Sequence, residues 1–232
     1  MRLVERPSPN HGERRGDGPV DMLVLHYTGM TSAEAAVDLL CDPAAQVSAH
    51  WLVDEAGTVY RMVEEGRRAW HAGVAGWRGE TDINSRSIGI ELANPGHDWG
   101  YRDFAAPQIA ALLELCGGIL ARHPIPPRNV VAHSDIAPTR KLDPGERFPW
   151  ARLAAAGIGL WPEDDTVPVA ADAVLPALAR WGYRTEDVAP DVLVSAFQRH
   201  FRPERVDGIA DRQTRARLAS LLARLAAGPA GT

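Results

Sequence analysis

The apolar positions of this chain fall into short runs separated by polar turns. Val20–Leu25 follows Gly18 and Pro19 and predicts a buried strand that ends at His26. Thr31 and Glu34 have the spacing of a capping box, and Ala33, Ala36, Val37 and Leu40 continue it as a helix that Pro43 stops. His50–Val53 and Thr58–Val63 flank Asp54, Glu55, Ala56 and Gly57, a hairpin pattern with glycine in its turn. Residues 64–86, rich in Gly, Arg and Trp, read as loop. Ser87–Leu92 alternates strictly. Ile88, Ile90 and Leu92 share one face, and Ser87, Gly89 and Glu91 share the other. Pro107 opens a long helix with Ile109, Leu112, Leu113, Cys116, Ile119 and Leu120 on its inner stripe. Asn129–Ala132 is a further short strand and stops at His133, and 134–150 reads as irregular. After Gly159 the pattern changes. Residues 162–168 carry two prolines and three acids and read as an exposed link. Beyond it lie helical patterns over 170–182, 190–201 and 211–226, with Pro190 opening the second and Asp211 capping the third.

Composition narrows the classes. The chain has 232 residues, 45% hydrophobic and 24% charged, as in ordinary globular proteins. Lys and Arg total 25 against 30 Asp and Glu, a formal charge of −5, which argues against a nucleic-acid partner. No apolar run is long enough for a membrane span. Cys41 and Cys116 lie in apolar helical patterns, form no CxxC and read as buried thiols. Residues 1–18 are polar with no apolar core of an export leader, so a cytoplasmic location is expected, or a periplasmic one if a leader was removed.

The sequence contains no HExxH, GxSxG, P-loop or GxGxxG pattern. Its chemistry lies at strand ends. His26 and His133 each follow a buried run and can point into one cleft, although either could be structural. Lys141-Leu-Asp143-Pro-Gly145 adds weight. Pro144 disfavours helix at Asp143, and in extended chain Lys141 and Asp143 face the same way. Two histidines and one carboxylate with an open fourth position make a catalytic zinc shell. Lys141 beside Asp143 stabilises an oxyanion or forms a surface ion pair. Glu91 is the natural general base for zinc-bound water, or else part of an exposed strand face.

Five ordered segments, Leu25–Thr28, Ala69–Gly73, Asn84–Glu91, Ala132–Pro138 and Arg140–Gly145, resemble the zinc-dependent N-acetylmuramoyl-L-alanine amidases. These are the relatives of phage T7 lysozyme and of animal peptidoglycan recognition proteins, and the resemblance is nearest to the bacterial AmpD and AmiD branches. It covers about residues 20–155. It implies an α+β fold, a mixed central β-sheet flanked by helices, followed by a small three-helix bundle. It implies zinc held by His26, His133 and Asp143, with Glu91 and Lys141 as the catalytic pair. Arg68, Trp70, His71 and Asn84 fall in its substrate-cleft segments, and His50 matches a histidine near the site that is not a ligand. The implied substrate is peptidoglycan or its fragments, cut between N-acetylmuramic acid and L-Ala of the stem peptide. No protein partner is implied. A sensor that keeps the fold without turnover is the alternative, disfavoured by the complete ligand triad.

Ala196–Phe201, Asp207–Ile209 and Asp211–Thr214 resemble a three-helix peptidoglycan-binding domain. The expected organisation is a catalytic domain over 1–160, a linker over 161–168 and the helical domain over 169–232, kept for binding or for packing alone. The AmpD branch acts on 1,6-anhydro-muropeptides in recycling and usually lacks such a domain, whereas the AmiD branch carries one. Absence of a leader favours the recycling role, and remodelling of intact periplasmic wall is the alternative.

Overall fold

The structure, a computed structural model, describes residues 1–226. The last six positions of the expected helical domain lie outside the described residues. Six strands form one mixed sheet: β1 (Arg2–Glu5), β3 (Met22–Tyr27), β4 (Trp51–Val53), β5 (Thr58–Arg61), β7 (Ser87–Leu92) and β8 (Val130–Ala132). Their spatial order is β1-β5-β4-β7-β3-β8. The expected hairpin is the antiparallel pair β4–β5, while β4, β3 and β8 join their neighbours β7 and β3 in parallel. A separate ribbon pairs β2 (His11–Gly12) with β6 (Arg68–Ala69).

Parallel strands need both faces covered. Leu23, Leu25, Ile88, Ile90 and Leu92 point to one face, packed by Ile109, Leu112, Cys116 and Ile119 of α3 (Ala106–Arg122) and by Leu153 of α5 (Trp150–Ala155). The opposite face is divided. Leu52 beside β5 packs against Ala36, Val37 and Leu40 of α1 (Ala33–Cys41). Met22, Val24 and Val131 pack in one cluster with residues of α6 (Val174–Trp181), α7 (Pro190–Phe201) and α8 (Arg212–Ala226). Between these two coverings the middle of the face carries polar side chains.

The C-terminal landmarks are knit by one buried amide. Gln198 on α7 accepts from the Asp207 and Gly208 amides at 2.9 Å each and donates to Ile209 O and Thr214 Oγ1. Asp211 caps α8, its carboxylate accepting from the Thr214 amide at 2.8 Å. Arg217 ties α8 to Asp164, in the chain before α6, and to Glu204.

Several expectations shift. The first helix is capped by Ser32 rather than Thr31: Ser32 is extended and its Oγ accepts from the Ala35 amide at 3.1 Å, which places Glu34 one position too early for the box. The first strand starts two residues later than its apolar run and continues through His26. Residues 64–86 contain β6 and the short α2 (Ile83–Arg86), and α4 (His133–Ile136) interrupts the stretch read as irregular. β1 was hidden because its mostly exposed residues have no apolar alternation. Its ladder with β5 is what makes it a strand. Among the described residues no helix is long and apolar enough to cross a membrane.

Leu112 of α3 is fully buried against the sheet. Leu112→Ala is expected to cost about 2–5 kcal/mol in urea unfolding, the range for a core leucine whose cavity does not collapse. A loss under about 1 kcal/mol would contradict the packing described.

Candidate metal centre and cleft

Strand register places the chemistry. In β3 the side chains of Met22, Val24 and His26 share a face, and His26 is paired with Glu91 of β7. Val24 is paired with Val131, so the same two-residue period carries His133, directly after β8, to that face. Asp143 arrives from the 137–149 loop, whose backbone is joined to α4 by the Ser134 amide donating to Asp143 O at 3.0 Å. The three side chains meet. His26 Nδ1 and His133 Nδ1 lie 2.9 Å apart, and Asp143 Oδ2 lies 3.1 Å from the first and 3.0 Å from the second.

Hydrogen bonds on the far side fix which nitrogens carry protons. The Ser87 hydroxyl donates to Ile83 O at 2.7 Å, so Ser87 Oγ accepts from His71 Nε2 at 3.1 Å. His71 Nδ1 then accepts from His26 Nε2 at 3.0 Å. His133 Nε2 faces a carbonyl, Ala72 O, at 3.0 Å, and must donate. Each neutral imidazole has one N–H and one lone pair. The lone pairs of His26 Nδ1 and His133 Nδ1 therefore point at each other and at the Asp143 carboxylate. Three acceptors this close repel unless a cation lies among them. Two imidazole nitrogens and one carboxylate oxygen, all buried, are a donor set for a borderline metal such as zinc. Ligand histidines held by outer hydrogen bonds are the usual accompaniment of such a site.

Electrostatics follow from burial. Burial, with His133 alongside, pushes His26 from 6.5 down to about 4, against the pull of Asp143. Burial also lowers His71 well below its ordinary value, aided by the neighbouring His26 and His50. Burial, then Asp143, raise Glu91 well above its ordinary value, with Lys141 opposing. Glu91 Oε2 is buried with no hydrogen-bond partner.

The cleft over this floor has a volume of about 510 Å³, and Glu91, His133, Lys141 and Asp143 line it together. Trp70 and His71 also reach it. Arg68, Asn84 and His50 lie behind it. Arg68 bonds Asp82 and Ser85. Asn84 Oδ1 accepts from the His71 and Ala72 amides at 3.1 and 2.9 Å, holding the loop that carries His71. His50 is enclosed, accepting from the Gly89 amide at 2.9 Å and facing Arg67 O at 3.1 Å, so both ring nitrogens are committed away from the metal donors. Gly89 is required here: a Cβ on it would lie 2.5 Å from the His71 ring. His97 and Glu146 carry no signal in sequence, yet on the wall opposite Tyr27 Oη meets His97 Nδ1 at 2.9 Å and His97 Nε2 meets Glu146 at 3.2 Å. Arg140 was also missed. It donates to Ala72 O and Val74 O and holds the same loop as Asn84. Ser87 had a signal, since it shares the alternate face with Glu91.

The buried neutral imidazoles make a pH prediction for the metal-free protein. The unfolded chain takes protons near 6.5, whereas folded His26 and His50 do so only near 4 and 3. Their contribution is complete above pH 6.5 and is lost as pH falls toward those folded values. Urea midpoints of Glu91→Gln measured in chelator, where the raised Glu91 carboxyl no longer opposes the histidines, are expected to fall steadily from pH 7 to pH 4. A constant midpoint would contradict the burial described.

Comparison with known proteins agrees with this geometry. Residues 16–146 match the Amidase_2 family, N-acetylmuramoyl-L-alanine amidase. The chain is 41% identical over 88% of its length to N-acetylmuramoyl-L-alanine amidase AmiD of Escherichia coli K12, covering 82% of that protein. It is 36% identical over 64% of its length to 1,6-anhydro-N-acetylmuramyl-L-alanine amidase AmpD of Citrobacter freundii, covering 87% of it. Among solved structures, E. coli AmiD in complex with anhydro-N-acetylmuramic acid-L-Ala-D-gamma-Glu-L-Lys superposes with a TM-score of 0.81 at 39% identity, covering 91% of each chain. Pseudomonas aeruginosa AmpDH3 in complex with anhydromuramic pentapeptide gives 0.81 at 37% identity, over 95% of this chain and 96% of that one. The strand-end histidines, the loop aspartate and these matches lead to one conclusion: the chain belongs to the N-acetylmuramoyl-L-alanine amidases of the AmpD and AmiD type.

Proposed function

We propose that the chain is a zinc enzyme that hydrolyses the amide between the lactyl group of 1,6-anhydro-N-acetylmuramic acid and L-Ala of the stem peptide, in muropeptide recycling. The observation that carries this reading is the set of three converging lone pairs on the floor of a cleft that also holds a buried, unpaired carboxylate oxygen. The solved complexes of AmiD and AmpDH3 with anhydro-muropeptides support that substrate class.

His26, His133 and Asp143 hold the metal. Zinc in such a site supplies a polarised carbonyl and a water whose pKa is lowered to about 7. Glu91 takes the proton of the attacking water on Oε2 and returns it to the departing amine nitrogen of L-Ala. Its raised affinity for a proton suits both halves of that transfer. Lys141, lining the same cleft, places its ammonium against the developing oxyanion. Trp70, which lines the cleft, would contact the substrate, while Arg68, His71, Asn84 and His50 act through the wall they support. Residues 1–160 form the catalytic part and 161–168 the link, with the helical segment after it as a peptidoglycan-binding-like unit. The AmpD relative supports that division: it matches only 64% of this chain although 87% of its own length is covered.

The test compares wild type with Glu91→Gln on soluble 1,6-anhydro-muropeptides and on intact sacculi, read by mass spectrometry of released stem peptides. Wild type is expected to favour the soluble substrate, to lose activity in chelator and to regain it with zinc. Glu91→Gln is expected to lower kcat by about 10²- to 10⁴-fold, the usual contribution of a general base. The same variant is expected to melt no lower than wild type without metal. The Glu91 carboxyl titrates higher folded than unfolded, so the metal-free fold loses stability as pH rises toward that folded value, and the neutral amide removes the loss. Full turnover in chelator would overturn the reading.

A further inference from the structure

Asp135 stands two residues after the ligand His133, and nothing in the reaction uses it. Its carboxylate is completely buried. Only one of its hydrogen bonds comes from its own neighbourhood: Oδ2 accepts from the Ala132 amide at 2.8 Å, across the start of α4. The other two come from the C-terminal helical segment. Tyr183, just after α6, donates its hydroxyl to Oδ1 at 2.5 Å. His200 of α7 meets Oδ2 through Nδ1 at 2.6 Å. His200 is itself clamped, its ring 3.7 Å from the Trp150 ring of α5 and 3.7 Å from Phe201. Tyr183 is likewise fixed, bridging Trp77 through the backbone and packing its ring against the Trp77 indole.

A fully buried carboxylate with one amide partner is far less stable than one with three donors. The donors from α7 and from Tyr183 therefore decide where Asp135 can rest. Asp135 in turn decides the turn from Ala132 into α4. That four-residue turn presents His133 Nδ1, and its Ser134 amide holds Asp143 O. Two of the three donor side chains thus hang on one turn whose carboxylate is held by residues 48 and 65 positions away in sequence.

We propose that Tyr183 and His200 are positioning residues for the metal site, so that the C-terminal helical segment braces the ligand-bearing turn whatever else it binds. This rests on the zinc reading above. A brace of this kind acts on metal affinity, because unbraced ligands must be ordered when the ion binds. Loss of such outer hydrogen bonds typically weakens metal binding by about 10- to 100-fold.

The test uses the full chain and measures the zinc dissociation constant by chelator competition, with thermal melts in excess chelator alongside. The double variant Tyr183→Phe, His200→Leu removes both donors and keeps most of the volume. It is expected to bind zinc about 10- to 100-fold more weakly than wild type. His200→Asn, whose amide nitrogen takes the place of Nδ1, is expected to retain near wild-type affinity. Leu222→Ala loosens α8 at a site away from Asp135, and is expected to lower the melting temperature while leaving zinc affinity unchanged. If the double variant does not fold, Tyr183→Phe alone, which deletes one oxygen, is still expected to weaken zinc binding. The proposal is overturned if the donor-deleting variants bind zinc as wild type does, or if Leu222→Ala weakens zinc as much as they do. Failure of the zinc reading looks different: wild type itself would bind zinc no better than His133→Ala, and both inferences would then fall.

Discussion

The whole arrangement depends on holding three electron-pair donors closer together than they would settle alone. That is achieved from behind. His133 is turned by its bond to Ala72 O, and His26 by a directed chain through His71 and Ser87 to Ile83 O. Each outward N–H leaves the inward nitrogen with only a lone pair, so the imidazoles present themselves as ligands before any ion arrives. The loop that supplies Ala72 O is pinned by Asn84 and Arg140, and Gly89 leaves room for the His71 ring to lie flat against β7. Polar residues at some distance from the cleft are thereby part of its chemistry.

The division of the sheet's second face follows from the same need. A continuous apolar covering would bury the donors beyond reach of a substrate, and an open one would flood them with water. α1 covers one side and the C-terminal helices the other, which leaves a strip along β3 and β7 for His26 and Glu91. Glu91 is costly there, because its carboxylate is desolvated without a partner, and that same cost raises its affinity for a proton. The C-terminal helices share a single apolar cluster with Met22, Val24 and Val131, and they also supply the donors to Asp135. Their packing and the His26–His133–Asp143 cluster are therefore physically connected.

What could be read from sequence was what local periodicity records. The alternation Ser87–Leu92 put Glu91 opposite three aliphatics, and the observed strand keeps that alternation. The long helix with its opening Pro107 and the C-terminal helix at Pro190 fall where their apolar stripes placed them. The α+β class with a mixed sheet is the observed one. The donors His26, His133 and Asp143 could be picked out because two end buried runs and the third stands beside a proline. What escaped was set by distant partners. β1 exists through its ladder with β5. Asp135 looks like an ordinary acidic residue in a loop until Tyr183 and His200 arrive. His71 sits in a segment expected to face substrate, yet its two ring nitrogens are spent on His26 and Ser87. No period or spacing encodes those meetings, which depend on strand order.

The cluster is defined by the atoms that face the ion. Zinc-edge X-ray absorption of the protein loaded with one equivalent of zinc reads them directly. Ligation by His26, His133 and Asp143 predicts a shell of nitrogen and oxygen scatterers at about 2.0–2.2 Å, with the outer scattering of two imidazoles and no sulfur. A sulfur shell near 2.3 Å, or a six-oxygen shell without imidazole scattering, would contradict it.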